Sequence, residues 1–184
     1  MYLARSILAV LFFFSSVGAV KAVFASEDSS SMVMKTETSP AFQSSQVSNV
    51  LGQIAIALAG GRGAMRALRG SPDEYDQKDR LQPPLPGMNC GIDRILSYVS
   101  CHSAVINNEK EAENVFNQLV DDVKAVLPSD RWGPVKVMPT LGAVRIISYR
   151  DRESAAQIDI ELLVRPTMEV QRSYVISLYG WTKI

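Results

Sequence analysis

The chain has 184 residues, with 19 Lys and Arg against 19 Asp and Glu, 47% hydrophobic and 8% aromatic residues, two Cys and a single His. This balance provides no field for non-specific binding to nucleic acid or to an anionic membrane surface. One histidine with two cysteines excludes a multi-His or four-Cys metal centre, and no cofactor is expected.

Residues 1–25 read as an export signal. Arg5 supplies the basic start, residues 7–20 the apolar stretch, and Val23-Phe24-Ala25 a small-residue cleavage site before Ser26. Lys21 interrupts the apolar run short of the ~20 residues that cross a bilayer. Neither cysteine lies near the cleavage site to take a lipid. Cleavage would remove Arg5 and Lys21, leaving 17 basic against 19 acidic side chains. The expected destination is the periplasm or the exterior.

Residues 26–46 are rich in Ser and Thr and lack an apolar period, so a flexible leader is expected there. In 47–69 the residues Val47, Val50, Leu51, Ile54, Ala57 and Leu58 fall at helical spacing, with Ser48 placed to cap. Gly60, Gly61 and Gly63 then break this helical appendage. A dinucleotide fingerprint across these glycines would put Arg66 where a third Gly or Ala is required. Arg62, Arg66 and Arg69 could face an acidic partner or a membrane surface, and membrane association through 47–69 is one possible attachment. The opposing expectation is that Met65 and Leu68 pack this segment on the domain. Residues 70–89 are charged, then Pro-rich through Pro83-Pro84-Leu85-Pro86, and read as a linker. Asp73, Glu74, Asp76 and Asp79 lack the glycine and terminal Glu of a calcium loop.

The folded domain is expected over 90–184. In its first segment, Cys90 and Cys101 would stand roughly 16 Å apart in a continuous helix, beyond the span of a disulfide. An exported chain with two cysteines favours a bridge. A hairpin pairing 90–92 against 99–105, turning near 94–97, brings the sulfurs together, whereas a helix would leave the thiols free. Such a bridge would contribute about 2 to 3 kcal/mol by closing a short loop.

A helix over 109–127 follows, with Asn108 as cap and Glu111 as its capping-box partner, a stripe of Ala112, Val115, Phe116, Leu119 and Val123, and Pro128 as stop. The period then changes to two over 144–146, 157–164 and 174–178, with a weaker strand near 135–138. The short polar connections suit an antiparallel meander. The expected fold is an α+β two-layer sandwich, one main helix on an antiparallel sheet of three to five strands (ββαβββ-like), with the helical appendage before it.

No catalytic signature is present: no G-x-S-x-G elbow supports a serine nucleophile for His102. Asp159 and Glu161 share a strand face at a spacing that paired-carboxylate hydrolysis would accept, although such pairs are commonly the wet side of a strand. Tyr179 and Trp181 share a strand face, and with Arg145 and Tyr149 beside them the outer sheet face would carry Tyr, Trp, Arg and the two carboxylates, a composition typical of protein interfaces. If 47–69 covered that face, the same aromatics would be core. The reading is a non-catalytic binding or inhibitory module acting on a protein partner through Arg145, Tyr149, Tyr179 and Trp181. The alternatives are a small secreted hydrolase and a membrane-associated envelope structural protein.

Overall fold

A computed structural model describes residues 44–73, 77–96, 98–165 and 172–182. The expected export signal and most of the leader lie outside the described residues. Helix α1 spans Ser44–Ala59. Val47, Val50, Leu51, Ile54 and Leu58 lie on one stripe at i, i+3, i+4, i+7 and i+11, and all are buried. The helix ends where Gly61 takes φ 77°, the left-handed conformation that glycine reaches without penalty. A five-residue helix α2 (Gly61–Met65) and a 3-10 turn (Arg66–Leu68) follow, burying Met65 and Leu68 while Arg62 and Arg66 stay exposed.

Four strands then run back and forth: β1 (Arg69–Pro72), β2 (Lys78–Leu81), β3 (Met88–Asp93) and β4 (Tyr98–Ser103). Helix α3 (Glu109–Val126) starts where the Asn108 side-chain oxygen accepts from the Glu111 N–H at 3.0 Å. It buries Ala112, Phe116, Leu119 and Val123. The chain returns through β5 (Trp132–Val135), β6 (Ala143–Asp151), β7 (Gln157–Arg165) and β8 (Ser173–Trp181).

The strands form one eight-stranded sheet in the order β1-β2-β3-β4-β8-β7-β6-β5, with every pair antiparallel. Each half of the chain is therefore a helix followed by a four-strand meander, and the last strand of each half meets the other along the centre. Both edges are blunted by proline, Pro72 on β1 and Pro134 on β5, which withholds backbone donors from a further strand.

Helices α1 and α3 pack on each other and on one face of the sheet. Ile158, Ile160 and Leu162 of β7, with Tyr174, Ile176 and Leu178 of β8, are buried on that side. Leu58 of α1 presses on Gly180, where an added Cβ would stand 2.6 Å from its Cδ1. Glycine at this position lets the helix approach the backbone of β8.

The expected sandwich of three to five strands with one main helix is incorrect. The sheet has eight strands, and the described residues contain two long helices and one short one. The supposed linker supplies β1 and β2, and α1, taken as an appendage, contributes to the core. All described residues, from Ser44 on, belong to one compact unit, so the fold does not start at Cys90. The physical reason is that β1, at the sheet edge, and β2 beside it are short polar strands that bury only Leu81. Their pairing rests on backbone hydrogen bonds and on Asp79, held by Arg94 at 2.9 Å and Arg69 at 3.8 Å, and leaves no apolar alternation to read.

The hairpin is as expected: β3 and β4 pair with Cys90 opposite Cys101, and the two are disulfide-bonded. The content is α+β.

Gly180→Val forces branched carbons into the space of Leu58. It should destabilise the protein by about 1 to 3 kcal/mol, read as a lower urea midpoint with an unchanged slope.

Candidate functional site

The face of the sheet opposite the helices is laid out by register, since directly paired residues point to the same side. Three rows cross the central strands. In the first, Asn89, His102, Ser177 and Glu161 stand side by side. The second holds Arg80, Gly91, Ser100, Tyr179, Asp159 and Ser148. The third holds Tyr98, Trp181, Gln157 and Arg150.

Three aromatic rings dominate the centre. Tyr98 stacks on Tyr179 with centroids 5.9 Å apart and planes 13° apart, and on Trp181 at 6.0 Å and 26°. His102 meets Tyr179 edge-on at 5.6 Å. All four rings are half-buried. Burial pushes the Tyr98 hydroxyl well above its ordinary value, and Tyr179, Glu161, Asp159 and Asp93 push the same way. Tyr98 thus remains a neutral donor in a negative field.

Beside the rings lie Asp159 and Glu161, 4% and 1% exposed. Gln157 Nε2 donates to Asp159 at 2.8 Å, and Arg150 in turn donates to the Gln157 oxygen at 2.6 and 3.2 Å. Thr140, from the β5–β6 connection, donates to Glu161 at 2.7 Å. Among the described residues neither carboxyl group has a basic side chain in ion-pair contact. The Ser148 hydroxyl, opposite Asp159, has no hydrogen-bond partner.

The residues read from the sequence are divided between the two faces. Tyr179 and Trp181 lie on the helix-free face. Arg145 and Tyr149 lie on the other: Arg145 is opposite Leu162 with its guanidinium 4.7 Å from the centre of the Phe116 ring, and Tyr149 is opposite Ile158. The expected four-residue surface does not form, because alternation along β6 turns 145, 147 and 149 toward the helices. Arg150 is the β6 residue that faces the aromatic side. The rings are also not covered by residues 47–69, which pack on the other face.

Tyr98, His102 and Ser177 were missed. The alternation of Val99 and Cys101 with Ser100 and His102 already separates the faces of β4. Only the pairing of β4 with β8 puts Tyr98 beside Trp181.

His102 Nδ1 lies 2.9 Å from Ser177 Oγ, and Glu161 is opposite the same serine. This row does not have the order of a catalytic triad, in which the acid orients the imidazole from behind. Here the serine lies between the two, and it is 0% exposed, out of reach of a substrate. Asp159 and Glu161 are likewise buried and engaged by neighbours. Among the described residues no three His, Cys, Asp or Glu side chains are placed to hold a metal ion.

Comparison of the chain with protein-family models, with characterised proteins and with solved structures returns no match.

Burial lowers the His102 pKa below the ordinary 6.5, and Lys78 and Arg165 lower it further. The unfolded chain then takes up this proton at higher pH than the folded one, so stability falls as pH drops through 6.5. NMR titration should place the His102 pKa below 6.5, and His102→Gln should reduce the loss of stability between pH 7 and about pH 5.

Proposed function

We propose that this protein is an exported, non-catalytic binding module that engages a protein partner in the cell envelope or extracellular space. The partner meets the helix-free sheet face and contributes a Lys- or Arg-bearing segment. The observation that carries this reading is the stack of Tyr98, Tyr179 and Trp181 beside two buried carboxyl groups. Aromatic anchors in a desolvated setting are the typical energetic centre of protein interfaces. Ring faces attract a cation, and Asp159, Glu161 and Asp93 add a field of the same preference.

Export is supported by the pattern of residues 1–25 and by the Cys90–Cys101 disulfide, which persists in oxidising compartments. No helix among the described residues is long and apolar enough to cross a membrane. Val47, Val50, Leu51, Ile54 and Leu58 of α1 are buried in the core, while Ile56 on the same helix is exposed.

The test is crosslinking of the protein in its native producer, identification of the captured partner, and calorimetric titration of that partner against wild type and variants. Tyr179→Ala and Trp181→Ala should each weaken binding by about tenfold or more, and added salt should weaken it further. Undiminished affinity in the folded double variant would sink the reading.

A further inference from the structure

His102 stands at the rim of the aromatic stack and is the only histidine in the chain. Its imidazole meets Tyr179 edge-on at 5.6 Å, and Tyr179 is stacked in turn on Tyr98. Histidine is the side chain whose charge ordinarily changes between about pH 5 and pH 8. A change of charge at this position falls beside the rings that would receive a cation.

Each element packed against the imidazole presents a group to it. Asn89 of β3 and Ser177 of β8 are its direct partners in register. Lys78, Asp79 and Arg80 of β2, with Asp73 just after β1, line one hollow with it. Asp79 is paired with Arg94 and Arg69. β7 brings Glu161 opposite Ser177 and carries Arg165 at its end. Burial favours the neutral ring, and Lys78 and Arg165 act in the same direction.

Ser177 determines what a proton does here. Its hydroxyl oxygen lies 2.9 Å from His102 Nδ1, the residue is 0% exposed, and it has no other side-chain partner among the described residues. With the ring neutral, the Ser177 hydroxyl donates to Nδ1 and the imidazole proton sits on Nε2. A proton arriving at Nδ1 reverses this bond. The imidazolium donates to Ser177 Oγ, and the hydroxyl hydrogen loses its acceptor.

We propose that His102 is a proton-operated gate on the aromatic face: the neutral imidazole admits a Lys or Arg side chain of the partner, and the imidazolium turns it away. The gate deepens the partner reading above and rests on it. An imidazolium beside Tyr179 repels a second cation and competes with it for the ring. The hydrogen displaced from Nδ1 turns to Glu161, the carboxyl opposite Ser177, and offsets part of the field that favours a cation. At a separation like that of the rings, the repulsion alone corresponds to about three- to tenfold in affinity. The partner is held at neutral pH and released on acidification.

The probe is acetyl-arginine amide, whose guanidinium stays charged throughout, with acetyl-citrulline amide as its uncharged isostere. The whole protein is titrated with each by NMR at about pH 7.5 and about pH 5, the fold being verified by circular dichroism at both. The arginine probe should bind at the higher pH and about three- to tenfold more weakly at the lower. In His102→Gln the ratio of the two affinities should fall to about one, whatever their absolute values. By linkage, saturating the wild type with the probe should lower the proton affinity of His102 by the same factor, read on ring resonances that no other histidine overlaps. Failure of the arginine probe to bind at about pH 7.5, or equal binding of the citrulline probe, sinks the cation-binding face and the gate together. Equal affinity at both pH values, a ratio that persists in His102→Gln, or a His102 titration unmoved by the probe overturns the gate and leaves the partner reading standing.

Discussion

The pairing of β4 with β8 is the constraint on which everything else rests. Five registered pairs, from Tyr98 opposite Trp181 to His102 opposite Ser177, join two four-strand meanders into one sheet. Each meander alone would have an exposed inner edge and an apolar face with a single helix to cover it. Joined, they create a surface on which α1 and α3 lie side by side, with Leu58 seated on Gly180 at the seam. The same register puts the last strand of each half at the centre of the opposite face, so the aromatic stack is assembled from both.

One-sided layering has an electrostatic consequence. The helix-covered side removes apolar surface from water, and its one conspicuous guanidinium, Arg145, rests on the Phe116 ring. On the bare side the two buried carboxyl groups are engaged by polar neighbours, Asp159 through the chain from Arg150 and Gln157 and Glu161 through the bond from Thr140. Buried carboxyl groups without a basic neighbour are costly to retain for stability alone. Across this face the charge is divided, acidic along β7 and basic along β2, with the rings and His102 between.

What could be read from the sequence was what is local. The Asn108 cap, the stripe of α3 and the alternation of β7 and β8 are properties of neighbouring residues, and the two cysteines gave the β3–β4 register because a disulfide is itself a distance constraint. Strands β1 and β2 were hidden for a specific reason: in Lys78-Asp79-Arg80 every residue is charged, and Asp79 is held by Arg94 and Arg69 rather than by apolar packing, which leaves no apolar period. Half of the candidate site was found, since Tyr179 and Trp181 alternate with buried Ile176 and Leu178 on their own strand. Assigning Arg145 and Tyr149 to that side required knowing which face of β6 meets the helices, and placing Tyr98 required knowing which strand β4 meets. Both are pairings between distant segments. The repeated order of helix and four strands is equally silent in the sequence, because each half needs only an apolar stripe and a sheet of matching sidedness.

That repeated order also bears on how the two halves are held together. Within the sheet, the first half touches the second along the β4–β8 seam, and a short covalent connection from β4 to α3 spans the chain between them. Were the halves separate molecules, their meeting would cost the translational freedom of a second body. A connection of a few residues makes the encounter intramolecular at an effective concentration in the millimolar range. A seam of five residue pairs can then suffice where a free dimer would need a larger interface. The linkage also makes the two halves non-equivalent, leaving each free to carry its own chemistry: cations and histidine from the first, carboxyl groups and most of the aromatic rings from the second.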